Sequence, residues 1–179
     1  MFISLQELEL RTVRFDVAVP AGEIEYDYQF RQKSSLVAHG TVELVNQSLG
    51  EIRIRGSLSV AIEVACDRCL EAVEFPVAKN FELFYQPAGD YQGSGEEELE
   101  EVDSEIAYYD GDRLDLNEIL REVVLLALPM RFVCGDDCKG ICPGCGKNRN
   151  QHVCDCQTEA GDDRWSKLRE IRVASGPRG

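Results

Sequence analysis

The sequence predicts an α+β fold: an antiparallel β-sheet or open barrel, one packed helix, a cysteine-rich module and a C-terminal helix. Three observations carry this. Long runs in the middle of the chain alternate apolar and polar residues with period two, the mark of half-buried strands. After residue 115 the apolar period lengthens to that of a helix. Six of the eight cysteines fall between residues 134 and 156.

Thr12 to Val19 and Ile24 to Phe30 are the weaker strand candidates, and Leu36 to Asn46 is a firmer one. From Glu51 to Cys66, apolar residues occupy alternate positions (Ile52, Ile54, Leu58, Val60, Ile62, Val64). Val73, Phe75, Val77, Phe81, Leu83 and Tyr85 repeat the pattern. Cys66-Asp-Arg-Cys69 joins the two runs, so they read as a long hairpin with a cysteine pair at its tip. Residues of about 86–105 then form an acidic loop, glycine-bearing and self-repelling. A solvated linker accounts for it, and an arm that contacts a basic partner or mimics a phosphate backbone is the sharper alternative.

Asp115-Leu-Asn-Glu118 has the pattern of an N-cap with a glutamate three residues on, opening a helix over about 115–128 that Pro129 ends. The second half of that helix is apolar on every side, which predicts packing against the sheet. Asp163 to Val173 is expected to be the final helix, with Trp165, Leu168 and Ile171 on one face. The organisation expected is a β-rich domain over 1–130 and a cysteine-rich module with the last helix over 131–179.

Charge divides the chain in the same place. Residues 1–130 hold 10 basic and 26 acidic side chains, a net of −16, whereas residues 131–179 hold 9 and 7, a net of +2. A total of −14 argues against a protein that coats nucleic acid by bulk electrostatics, although a local basic patch stays open. The longest uncharged apolar run, Val123 to Met130, is too short to span a bilayer. The first residues lack a basic segment of the kind that opens a secretory signal. A cytoplasmic protein without membrane partners is the expectation.

In a reducing compartment, eight cysteines read as metal ligands or redox thiols rather than as a disulfide framework. They are grouped as Cys66-x-x-Cys69, Cys134-x-x-x-Cys138, Cys142-x-x-Cys145 and Cys154-x-Cys156. Short-spaced pairs suit zinc because a tight knuckle aims two thiolates at one tetrahedral ion. Cys142-Pro-Gly-Cys-Gly146 has the proline and glycines that such a knuckle requires. Two four-cysteine sites, hence two zinc ions, are predicted. A redox dithiol would place its C-x-x-C at a helix N-terminus, and here the first pair lies between strands. Iron–sulfur ligation and unliganded thiols are the remaining alternatives. His152 is an alternative ligand to Cys154 or Cys156, and His39 lies far from any pair. The favoured pairing sets Cys142, Cys145, Cys154 and Cys156 together, because the short loop costs least entropy to close. Cys66, Cys69, Cys134 and Cys138 then form the other site. The rival pairing groups Cys134, Cys138, Cys142 and Cys145.

Several of these motifs, in order, resemble the YceD family. They are Cys66-Asp-Arg-Cys-Leu-Glu71, Leu114-Asp-Leu-Asn-Glu-Ile119, Leu128-Pro129, Cys138-Lys-Gly-Ile-Cys-Pro-Gly-Cys-Gly-Lys-Asn-Arg-Asn150, Cys154-Asp-Cys156 and Asp163-Arg-Trp-x-x-Leu168. The resemblance covers residues from about 36 to 171. It implies a factor that supports accumulation of 23S ribosomal RNA and assembly of the large subunit, and it implies no catalytic mechanism. Arg149 departs from the pattern, standing where a leucine is expected between two asparagines. The glutamate-rich loop is longer than the family needs.

Lys139, Lys147, Asn148, Arg149 and Asn150 cluster on or beside the knuckle, and such knuckles present these residue types to RNA. They are the candidate contacts to large-subunit rRNA or a ribosomal protein, although lysines near a four-thiolate zinc also offset its charge. A zinc-ribbon transcription regulator and a metal-dependent enzyme are the alternatives. Zinc hydrolases and deaminases need an open coordination position and a nearby acid or base. Sites made of four cysteines leave none, so a non-enzymatic protein without a small-molecule substrate is expected.

Overall fold

A computed structural model describes residues 1–46, 49–88 and 106–156. Residues 1–67 and 71–134 form one compact unit, and residues 68–70 with the chain from Gly135 onward form another. The acidic segment 89–105 and the expected C-terminal helix, with Trp165, Leu168 and Ile171, lie outside the described residues.

The first unit is mostly sheet. Its elements in chain order are β1 (Phe2–Ser4), α1 (Leu5–Leu10), β2 (Val13–Val19), β3 (Arg31–Gln32), β4 (Leu36–Asn46), β5 (Glu51–Ala65), β6 (Ala72–Pro87), β7 (Ile106–Tyr109), β8 (Arg113–Asp115) and α2 (Leu116–Ala127). The larger sheet runs β2-β4-β5-β6-β7, with β3 paired to β5, and it is open, its path ending on β2 and β7. A two-stranded sheet joins β1 to β8, with Ile3 opposite Leu114.

The period-two pattern does its expected work in β5. Ile52, Ile54, Leu58, Val60, Ile62 and Val64 are all buried, and the residues between them are not. Each buried Ile or Leu contributes about 1.5–3 kcal/mol relative to exposure. In α2, Asp115 accepts a hydrogen bond from the Asn117 amide at 3.0 Å, which caps the helix. Leu116, Ile119, Leu120, Val123 and Val124 are buried in the same core as the strands. The far side of the helix departs from the expected all-round packing, since Leu126 is 82% exposed.

Three further differences from the sequence reading have identifiable causes. Ile24 to Phe30 is not a strand: the chain turns there, with the Phe30 amide bonded to the Asp27 carbonyl at 2.8 Å, and only Arg31–Gln32 pairs with β5. Strand β7 lies parallel to β6 rather than antiparallel. Parallel neighbours need a crossover of a dozen residues or more, and the eighteen residues 88–105 supply that length. The short helix α1, with Leu8 buried, offers too few turns for a periodic signal. Among the described residues, no helix is long and apolar enough to cross a membrane.

Four strands meet in one row, Phe15–Gly40–Gly56–Phe81. A Cβ on Gly40 would lie 2.3 Å from the Arg55 carbonyl oxygen and 2.6 Å from the Phe15 ring. The two glycines let flanking aromatic rings lie over bare backbone, a known device in sheets. Gly40→Ala is therefore expected to destabilise the protein by about 1–3 kcal/mol, read from the urea midpoint, because backbone blocks the new methyl.

Candidate metal centre

The first cysteine pair sits where β5 leaves the sheet. The Cys66 amide donates to the Glu71 carbonyl at 2.8 Å, closing the hairpin, and Leu70 takes a left-handed φ of 64° to complete the tight turn. Asp67 fastens the segment after α2. Its amide donates to the Phe132 carbonyl at 2.8 Å, and its carboxylate accepts from the Phe132 amide at 2.7 Å. The Phe132 ring is seated edge-on against Phe30 and Phe75, at centroid distances of 5.9 and 5.7 Å. So placed, the chain brings the Cys134 amide to the Cys66 sulfur at 3.4 Å. An N–H aimed at sulfur favours the thiolate, the form that binds metal.

Within the second unit, Arg68 and Asn150 are the clamps. The Arg68 guanidinium donates to the carbonyls of Asp136 and Cys138 at 3.0 and 3.1 Å, and its own carbonyl accepts from the Ile141 amide at 2.9 Å. Gly140, at φ +71°, passes so close to the Arg68 carbonyl that a Cβ would lie 2.9 Å from it. Asn150 accepts from the Lys139 amide at 2.8 Å and donates to the Cys138 sulfur at 3.3 Å.

The knuckle Cys142-Pro-Gly-Cys-Gly146 is closed by two backbone bonds. The Cys142 amide donates to the Lys147 carbonyl and the Gly146 amide to the Cys142 carbonyl, both at 2.8 Å. Gly146 has a φ of +70°, a conformation that glycine adopts without steric cost. Backbone N–H groups of Cys145 and Gly144 pull the Cys142 thiol down to about 6. Neighbouring thiols, Cys145 first, push Cys156 up to about 12.

Two groups of four sulfurs result. Cys66, Cys69, Cys134 and Cys138 have their sulfurs within 4.8 Å of one another, and so do Cys142, Cys145, Cys154 and Cys156. All eight cysteines are free of disulfides. A tetrahedral zinc at about 2.3 Å from each sulfur needs sulfurs about 3.8 Å apart, a spacing that both groups accommodate. Either group can hold a metal ion. The grouping is the one favoured from the sequence rather than its rival, and His152 is in neither group.

The remaining candidates separate by role. Lys139, Lys147 and Arg149 are exposed, and among the described residues none forms an ion pair. Asn148 and Asn150 are framework residues, the Asn148 side chain accepting from the Asn150 amide at 3.0 Å. Asp67 and Arg68, at the middle of the C-x-x-C, were missed by sequence reasoning because their partners lie 65 to 70 residues away. His39, by contrast, bonds a neighbouring strand, its Nε2 lying 2.8 Å from the Ser57 hydroxyl. Asn150→Ala should weaken metal binding by the Cys138 group by about 10–100-fold, the usual cost of losing a ligand's hydrogen-bond partner. Competition against a chromophoric chelator measures it.

The fold and site define a small open-sheet protein with a cysteine-rich segment and two four-sulfur groups able to hold metal ions. The chain belongs to the family described as Large ribosomal RNA subunit accumulation protein YceD, whose model matches residues 54–172. It is 27% identical over 143 residues to the chloroplastic Large ribosomal RNA subunit accumulation protein YCED homolog 1 of Arabidopsis thaliana, covering 68% of this chain and 44% of that protein. An uncharacterised protein of Mycobacterium tuberculosis is 29% identical over 138 residues, covering 73% and 60%. The Zea mays YCED homolog 1, also chloroplastic, is 24% identical over 137 residues, covering 63% and 46%. The chain thus spans about half the length of the curated relatives it matches. No solved structure matches it significantly.

Proposed function

We propose that this chain is a cytoplasmic, non-enzymatic factor supporting accumulation of 23S rRNA and assembly of the large ribosomal subunit. It holds zinc in both four-sulfur groups and meets large-subunit rRNA or a ribosomal protein through Lys139, Lys147 and Arg149. The observation that carries the reading is the state of those cations. All three are exposed and, among the described residues, form no ion pair, on a backbone pinned by Asn148, Asn150 and the knuckle. Four sulfur ligands fill a tetrahedral zinc shell, so the metal's part is structural, and no substrate position is left on it.

Neutralising about three phosphate contacts predicts a salt slope of roughly −2 to −3 in log K against log salt for an RNA partner. The variant with Lys139, Lys147 and Arg149 each changed to Ala should keep its zinc and fold yet lose co-sedimentation with large-subunit precursors. Unchanged co-sedimentation with intact zinc content would mean that the cations only balance the thiolates. DNA binding with a comparable salt slope, in place of particle association, would favour a transcription regulator.

A further inference from the structure

The two C-x-x-C turns share one backbone design. In each, the amide of the first cysteine donates to the carbonyl five residues on, Cys66 to Glu71 and Cys142 to Lys147, both at 2.8 Å. In each, the residue after the second cysteine has a left-handed φ, +64° at Leu70 and +70° at Gly146. Glycine adopts that conformation at no steric cost, whereas an L side chain there crowds its Cβ against a backbone carbonyl. The turn itself therefore needs no leucine at position 70, and the leucine strains it.

Burial does not offset that strain, because Leu70 is 64% exposed. Ile141 and Val153 are 41% and 99% exposed. Among the described residues of the second unit, these three are the only Leu, Ile or Val. A segment folded around metal ions does not depend on an apolar core, which leaves its aliphatic side chains free for contacts. A non-glycine residue held in a left-handed conformation is the kind of local strain that marks functional positions.

The strained turn and the three cations lie on connected backbone. The carbonyl of Arg68, two residues before Leu70, accepts from the Ile141 amide at 2.9 Å. On the other side of that segment the Arg149 amide donates to the Gly140 carbonyl at 2.9 Å, and Ile141 is bridged to Asn148. Exposed Leu70, Ile141, Lys139, Lys147 and Arg149 thus share one framework of three adjoining segments. An unpaired stretch of RNA carries a phosphate beside every base, so one strand supplies both the charge and an apolar face. Leu and Ile are known wedges against unstacked bases in nucleic acids. The described part of this unit has no Phe, Tyr or Trp, so the contact is a wedge rather than a stacking platform. Duplex RNA, by contrast, keeps its base faces stacked away from such a side chain.

We propose that Leu70, with Ile141 on the adjoining segment, packs against an unpaired base of RNA while Lys139, Lys147 and Arg149 hold the neighbouring phosphates. This rests on the reading above and narrows its partner to RNA.

The test is filter binding of a protein-free 23S rRNA transcript to the full zinc-loaded chain over a range of salt. Leu70→Gly should raise the thermal midpoint by about 2–4 °C as the strain is released. It should nevertheless weaken RNA binding about tenfold, the scale of one lost apolar side-chain contact. That loss should be the same at every salt concentration, because an apolar contact releases no counterions. The variant with Lys139, Lys147 and Arg149 each changed to Ala should instead flatten the salt slope. Leu70→Met should keep the affinity, and so should Leu126→Ala, at an exposed position of the first unit. Unchanged binding by Leu70→Gly beside a loss in the cation variant would overturn this proposal and leave the reading above in place. A lowered midpoint in Leu70→Gly would also overturn it, making the leucine a structural residue. So would binding to RNA-free large-subunit proteins in place of the transcript, with the same dependence on Leu70.

Discussion

Stripping the purified protein with a strong chelator is expected to release two zinc ions per chain and to unfold both regions that hold them. Structural zinc contributes on the order of 10 kcal/mol to small metal-folded modules, as much as the whole stability of many domains. The two groups are not equivalent. Cys66 is fully buried beside the end of β5, and its group closes a loop from the hairpin to Cys134, on the far side of α2. Cys154 belongs to a group confined to residues 142–156. Cys66→Ala should therefore strip hydrogen-exchange protection from the ends of β5 and β6 and from residues 131–138. Cys154→Ala should deprotect residues 140–156 and spare the sheet. About one zinc per chain with four reactive thiols in the untreated protein would refute the two-ion reading. Loss of protection throughout the sheet in Cys154→Ala would refute the division of labour.

The parts of this molecule legible in the sequence are those decided by short-range rules. Alternation located β5 and β6 because each strand buries one face, and Asp115 announced α2 because capping is local. The cysteine groups were legible from spacing plus the low entropy cost of closing the Cys142–Cys156 loop. What escaped depends on partners remote in the chain. Nothing in Ile106–Tyr109 states that it will lie parallel to β6, because a long crossover sets that direction. Tyr26 looks like strand alternation in the sequence, yet the backbone around it turns, and the side chain packs half-buried against the core. Asp67 and Arg68 look like filler between two ligands, but they bond Phe132, Asp136 and Cys138. Asn150, grouped by its neighbours with the contact residues, bonds the Lys139 amide and a ligand sulfur instead.

The same difference in burial sets an order of attack by oxidants. In the first group Cys66, Cys69 and Cys138 are buried, at 0%, 4% and 8% exposure, and only Cys134 is exposed. In the second group Cys145 and Cys156 are exposed and Cys154 is partly so, leaving only Cys142 buried. Thiolate sulfur is the reactive species, and access decides which thiolate an oxidant meets. A peroxide accepts two electrons from two thiolates of the second group, forming one disulfide and two molecules of water once two protons are taken up. With two of its four sulfurs paired, that group can no longer hold its ion. Graded hydrogen peroxide should thus release one of the two zinc ions, monitored with a chromophoric chelator, while the other stays bound. Peptide mapping at that stage should find the disulfide among Cys142, Cys145, Cys154 and Cys156. A reductant followed by zinc should restore the original content. Simultaneous release of both ions, or a first disulfide that includes Cys66 or Cys69, would show that burial does not control the order.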